Sequence, residues 1–184
     1  MKRGIDLNLP EIIVLTGFMG SGKTTIGMEL ARLTGRTFID LDNAIVAETG
    51  MSIKDIFYKH GEDFFREVEH KVLKELLAGF FQPLVLGTGG GTLTFQKNWE
   101  LLSDKHVLTI FLNESFEVIW GRIKNDPHRP LVNLADKDED IARNAMEHLY
   151  IQRLPWYQKA DVHLNTHQLK QPDDVLKAIL ENLD

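Results

Sequence analysis

The sequence predicts an α/β protein, a five-stranded parallel sheet flanked by helices with a lid loop, folded as a single domain over residues 1–184. Two observations carry that prediction. The stretch EIIVLTGFMGSGKTTIGMELARLTG, Glu11 to Gly35, reads as a strand, a glycine-rich loop and a helix. After it, short apolar runs rich in β-branched residues alternate with segments of helical period along the whole chain, an order that builds parallel sheets through right-handed crossovers.

The first strand is Ile12-Ile13-Val14-Leu15, and the helix that begins near Lys23 carries Ile26, Leu30 and Leu33 at helical spacing before Gly35 ends it. Thr37-Phe38-Ile39 is a second strand running into Asp40-Leu41-Asp42, so both aspartates fall beyond a strand's carboxyl end, where ligands of such sheets gather. Residues 43–49 predict a short helix closed by Gly50. Ser52 to Asp55 reads as a capping box that opens another, and a longer helix covers residues 62–78 up to Gly79. On that helix Phe65, Val68, Val72 and Leu76 form one apolar arc with Glu69 inside it. A carboxylate on a buried face needs a partner, and Arg66, one turn earlier, is the nearest.

Pro83-Leu84-Val85-Leu86 predicts the third strand, followed by Gly87-Thr88-Gly89-Gly90-Gly91-Thr92, where consecutive glycines let backbone come close to a ligand. A helix over residues 96–102, a fourth strand over 107–112 and a helix over 115–124 come next. The segment from Asn125 to Asp140 contains Pro127, Pro130 and the charge run Asp136-Lys137-Asp138-Glu139-Asp140, which marks an exposed loop, a lid over residues 125–138. The charge run itself reads as a solvated helix start. A helix over 141–154 leads to Pro155, Ala160 to Leu164 is the fifth strand, and the last helix runs from Pro172 to Leu183 with Val175, Leu176, Ile179, Leu180 and Leu183 as its apolar face.

Gly17-Phe18-Met19-Gly20-Ser21-Gly22-Lys23-Thr24 satisfies G-x-x-x-x-G-K-[ST], and the chemistry explains the spacing. A polyphosphate is wrapped by backbone N–H groups that bulky side chains would screen, and the helix N-terminus adds free donors and the positive end of its dipole. Lys23 supplies a point charge to the outer phosphates, and the Thr24 hydroxyl is a ligand for Mg²⁺. The chain therefore binds a nucleoside triphosphate.

Composition excludes other classes. The 184 residues are 43% hydrophobic and 26% charged, and no apolar run approaches the roughly 20 residues that span a bilayer. With no cysteine there are no disulfides or thiolate metal sites. A net charge of −6 with scattered basic residues argues against a nucleic-acid surface. No signal peptide is expected, and the location is expected to be cytoplasmic. His163 and His167 lie at a strand end, where their spacing of four does not make a metal site.

The phosphate loop, Asp40-x-Asp42, Phe65-Arg66-x-x-Glu69, Gly89-Gly90-Gly91, Arg129-Pro130-Leu131 and Arg153-x-x-x-Tyr157, taken in that order, resemble shikimate kinases. The resemblance spans about Glu11 to Leu183. It implies a P-loop kinase fold and the transfer of a phosphoryl group from ATP, with Mg²⁺, to the 3-hydroxyl of shikimate, in the shikimate pathway of aromatic amino-acid biosynthesis. It also implies that Gly17, Gly20, Ser21, Gly22, Lys23, Thr24 and Thr25 hold ATP, with Arg122 and Pro172 at the adenine. Thr24 becomes the direct Mg²⁺ ligand with Asp40 behind a water. Asp42, Arg66 and Arg153 become the contacts to shikimate under the backbone of Gly89 to Gly91, and Arg129 becomes the lid arginine. Asp42, Lys23 and Arg129 are then the catalytic residues of an expected monomer.

The residues themselves support this pocket, because a small carboxylated ring with vicinal hydroxyls suits arginine forks for its carboxylate and an aspartate for its hydroxyls. The departure is Pro127, which stiffens a lid that must close. Gluconate and nucleoside monophosphate kinases share the phosphate loop and are separated only by the acceptor pocket. A GTP-dependent switch is disfavoured by the absence of an N-K-x-D segment, and a non-catalytic nucleotide-binding module by the presence of Asp42 and Arg129.

Overall fold

The computed structural model of the chain describes residues 10–79, 82–124, 139–169 and 171–181. Its strands are β1 (Ile12–Thr16), β2 (Thr37–Asp40), β3 (Leu84–Gly87), β4 (Val107–Asn113) and β5 (Val162–Asn165). They form one sheet in the order β2-β3-β1-β4-β5, with every pairing parallel. The helices are α1 (Lys23–Thr34), α2 (Leu41–Thr49), α3 (Ile53–Gly79), α4 (Gln96–Leu102), α5 (Phe116–Ile123), α6 (Glu139–Tyr157) and α7 (Pro172–Glu181).

β1 is central because each of its faces must be buried. Its side chains alternate between two cores, Ile12 and Val14 on one side and Ile13 and Leu15 on the other. The first core is closed by α2 to α6 and the second by α1 and α7. β3 lies on one flank of β1 and β4 on the other, so the chain reverses its winding direction at β1. The loops after β1, β2 and β3 leave from the same end, and the crevice at that reversal is where such a sheet receives a ligand.

The sequence signals that rest on local chemistry hold. Ser52 Oγ accepts from the Asp55 N–H at 3.1 Å and donates to Asp55 Oδ2 at 2.7 Å, which opens α3. Gly61, at φ 83° and ψ 178°, separates that short first segment from the long second one. Three expectations shift. Asp42 belongs to the first turn of α2 rather than to the connection before it. Leu33 is exposed, its place on the buried face of α1 taken by Gly27 and Ala31. The helix predicted to stop before Pro155 continues to Tyr157, because a proline so near the end removes one backbone bond and the ladder resumes with Gln158 N–H donating to the Leu154 carbonyl at 3.0 Å. Leu183 lies outside the described residues.

Gly27 sets how closely α1 packs on the sheet. A Cβ there would fall 2.3 Å from Phe38 Cε2 and 3.2 Å from Leu15 Cδ1. Gly121, on the exposed side of α5, would meet nothing within 4 Å. The same substitution therefore has opposite signs at the two sites. Gly27→Ala is expected to destabilise by about 1–3 kcal/mol net of the helix propensity it gains, and Gly121→Ala to stabilise by about 0.5–1 kcal/mol. Urea unfolding of the two variants measures both, and a stable Gly27→Ala protein would refute the close packing.

Candidate active site

The phosphate loop bridges β1 and α1. Gly17 has φ 144°, and a Cβ on it would lie 2.9 Å from both the Leu112 carbonyl and Ser21 Oγ, so only glycine makes this turn. Gly20 and Gly22 also have positive φ, and Gly22 caps α1 with no side-chain bond, which leaves the first N–H groups of Lys23, Thr24 and Thr25 directed out of the helix. Lys23 Nζ donates to the carbonyls of Gly17 and Phe18 at 2.8 and 2.9 Å. Ser21 Oγ is buried and has no hydrogen-bond partner among the described residues, a donor left for a ligand.

Asp40 ends β2 and caps α2. Its Oδ1 accepts from the N–H groups of Asp42 and Asn43 at 3.1 and 3.4 Å, which turns Oδ2 toward Thr24 Oγ1 at 3.1 Å. Two hard oxygens beside a polyanion-binding loop are the donor set that Mg²⁺ prefers. The residues present thus fit both a triphosphate and its metal.

The second group of candidate residues is built on α3. Glu69 is fully buried, and Arg66 Nη1 donates to its Oε2 at 2.8 Å, as the spacing on the helix predicts. Arg66 Nη2 donates to Glu62 Oε1 at 3.1 Å. Burial alone would lower the Arg66 pKa, but the two carboxylates outweigh it and hold the guanidinium above its ordinary value. Arg153, from α6, donates through Nη1 to the Gly90 carbonyl at 3.0 Å, and the Tyr157 hydroxyl donates to the same oxygen. Burial pushes the Tyr157 phenol up, so it stays a neutral donor.

Gly89 to Gly91 form the roof. A Cβ at Gly89 would lie 2.9 Å from Asp42 Oδ1, and one at Gly91 would lie 2.5 Å from Arg66 Nη2 and 3.2 Å from Arg153 Nη2. Three residues separated by more than a hundred positions thus meet around one turn of backbone. They do so beside a cleft of about 810 Å³ whose lining includes Lys23, Thr24, Asp42, Arg122 and Pro172. Arg122 Nη1 donates to the Gly20 carbonyl at 2.8 Å, and Nη2 pairs with buried Glu114 at 3.3 Å. Glu114 and Asn98 are residues beside this cleft that sequence reasoning missed, ordinary polar side chains with no local signal, and Thr92 was read only as the end of the glycine run, without its bond to Glu69. Arg129 and the lid over residues 125–138 lie outside the described residues.

Asp42 lies among carboxylates. Burial first, then Asp40 and Glu69, raise its pKa to about 6 against the pull of Lys23 and Arg66.

A loop that wraps phosphate, a hard-oxygen pair for a metal and a separate pocket with arginines and an aspartate define a P-loop kinase of small molecules. The family model for shikimate kinase matches residues 19–184. A shikimate kinase of Caldicellulosiruptor bescii is 42% identical over 154 residues, 84% of this chain and 85% of the relative. The solved shikimate kinase of Acinetobacter baumannii in complex with shikimate is 36% identical with a TM-score of 0.81, covering 95% of each chain. That of Bacteroides thetaiotaomicron is 32% identical with a TM-score of 0.84, covering 94% of this chain and 97% of its own. The chain belongs to the shikimate kinase family.

The Asp42 environment has a consequence for stability in the protein free of nucleotide and metal. A carboxyl raised from 3.8 to about 6 binds its proton more tightly folded than unfolded. Its contribution favours the fold below the unfolded value and is lost as pH rises through about 6. Asp42→Asn is therefore expected to melt above the wild type at about pH 7.5, and the difference to vanish by about pH 4. Thermal melts in a chelator read it, and an advantage independent of pH would show that the carboxyl is not perturbed.

Proposed function

We infer that the chain phosphorylates the 3-hydroxyl of shikimate with ATP, giving shikimate 3-phosphate and ADP. The observation that carries this reading is the convergence of Asp42, Arg66 and Arg153 on the Gly89 to Gly91 turn, next to the phosphate loop. Arg66 and Arg153 present guanidinium donors in a planar fork, the geometry that grips a carboxylate in two places. Asp42 offers the acceptor that a ring hydroxyl needs. The Gly89 to Gly91 backbone packs against all three, so the carboxylate fork and the hydroxyl acceptor face one small region of backbone.

The hydroxyl oxygen bonds to the γ-phosphorus, the bond from that phosphorus to the β,γ-bridging oxygen breaks, and the hydroxyl proton passes to Asp42. Positioning and charge neutralisation dominate such a transfer. Lys23 and the N-terminus of α1 hold the phosphates, with Gly17, Gly20, Ser21, Gly22, Thr24 and Thr25 in the same cradle. Thr24 and Asp40 would hold Mg²⁺, which neutralises phosphate charge when bound. Arg122 and Pro172 would flank the adenine, and Arg129 would reach the transferring phosphate from the lid. No helix among the described residues is long and apolar enough to cross a membrane. The proposed enzyme is a cytoplasmic monomer acting on two small anions.

ADP release with shikimate, gluconate, AMP and no acceptor tests the reading, and release driven by gluconate or AMP instead of shikimate would refute it. Asp42→Asn, which keeps the shape and removes the charge, is expected to lower kcat about 10²-fold or more with KM for ATP unchanged. Normal turnover would remove the need for a protein base. Arg66→Lys is expected to raise KM for shikimate strongly and leave KM for ATP alone, since an ammonium cannot make two parallel bonds. A collapse in melting temperature with normal shikimate affinity would make Arg66 structural only.

A further inference from the structure

Asn98, on α4, is fully buried, and no reading of the phosphate loop or of the arginines uses it. A buried amide must satisfy two donors and an acceptor. Here all are engaged. Its Nδ2 donates to Glu69 Oε2 at 3.1 Å and to the Thr92 carbonyl at 3.1 Å, while its Oδ1 lies 3.0 Å from His70 Nδ1. Because Nδ2 faces two acceptors, the orientation of the amide is determined, and the His70 Nδ1 that faces Oδ1 must carry a hydrogen. His70 in turn sits edge-on to Phe95, whose carbonyl accepts from the Asn98 N–H at 2.9 Å.

These bonds reach both halves of the acceptor pocket. Glu69 Oε2, which Asn98 holds, is the atom that receives Arg66 Nη1, and Thr92 Oγ1 holds the other oxygen at 2.7 Å. Thr92 is also the residue that closes the glycine turn, its N–H donating to the Gly89 carbonyl at 3.3 Å. We propose that Asn98, oriented by His70, is a positioning residue that sets the plane of the Arg66 fork through Glu69 and the height of the Gly89 to Gly91 roof through Thr92. It touches no substrate. The phosphate loop shares none of these hydrogen bonds and meets the roof by packing, Gly90 against Met19 and Phe18, so the effect falls chiefly on the grip on the acceptor's carboxylate. The inference rests on the assignment of Arg66 to that carboxylate.

Steady-state kinetics with shikimate and ATP varied separately test it. Losing two donors to a buried, charged neighbourhood predicts that Asn98→Ala raises KM for shikimate about tenfold or more and leaves KM for ATP within about twofold. In the Arg66→Lys background, where the fork is already gone, the same substitution should add little, since groups acting through one another are not additive. His70→Ala should move the same KM by a smaller factor. Asn98→Asp, which sets a second carboxylate against Glu69, should move it at least as far as Asn98→Ala. These last two read the same ratio if Asn98→Ala does not fold. Equal changes in both KM values, full multiplication of the factors with Arg66→Lys, or an unchanged shikimate KM in Asn98→Asp and His70→Ala would overturn the proposal. Failure of the functional reading is distinct, because it appears in the wild-type protein as turnover of gluconate or AMP in place of shikimate.

Discussion

A fully buried carboxylate at Glu69 is the constraint on which the acceptor half of this molecule depends. An ion in that position is tolerated when both its oxygens are hydrogen-bonded and a cation stands beside it. The fold meets the demand from three directions, with Arg66 on the same helix, Thr92 after the glycine turn and Asn98 on α4. Each donor brings its own segment into place. The pair is therefore weak as a source of stability and strong as a source of geometry, since replacing it with apolar residues would leave α3, the glycine turn and α4 free to pack without reference to one another.

The nucleotide half has a different origin, in backbone rather than side chains. β1 is the middle strand of the five, paired on both sides and buried along its whole length, so the turn that follows it emerges from the centre of the sheet. Lys23 and Thr24 inherit their positions from that turn and from the first residues of α1. The two halves meet at β2, whose last residue, Asp40, bonds to Thr24 on one side and caps the helix carrying Asp42 on the other. One carboxylate thus ties the proposed metal site to the proposed base.

What was legible in the sequence was whatever one element could express alone. The phosphate loop, the capping box at Ser52, and the Arg66–Glu69 pair are local, set by spacing on a single turn or helix. The five strands followed from alternation of apolar runs. Gly27 was not legible, because its reason is Phe38 on another element, brought near only by the sheet register. Glu114 and Asn98 share that blindness, since the charged groups they answer to, Arg122 and Glu69, lie 8 and 29 residues away, and Thr92, though beside the glycine run, answers to Glu69, 23 residues earlier. Pro155 misled for the converse reason, since a strong local rule loses force where only one bond remains to be broken.

The charge pattern around Asp42 joins these threads. Its neighbours include two carboxylates, Asp40 and Glu69, and two cations, Lys23 and Arg66, and the balance with burial leaves its pKa near 6. In the proposed reaction both cations have other duties, Lys23 to phosphate and Arg66 to the acceptor's carboxylate. Engaging them weakens their hold on the Asp42 charge, which makes the carboxylate a better proton acceptor. Mg²⁺ held by Thr24 and Asp40 would act in the opposite sense, its charge favouring the ionised form of Asp42. On this reading the base is tuned by the substrates themselves, and the like-charge cluster, unfavourable in the protein alone, is the arrangement that makes the tuning possible.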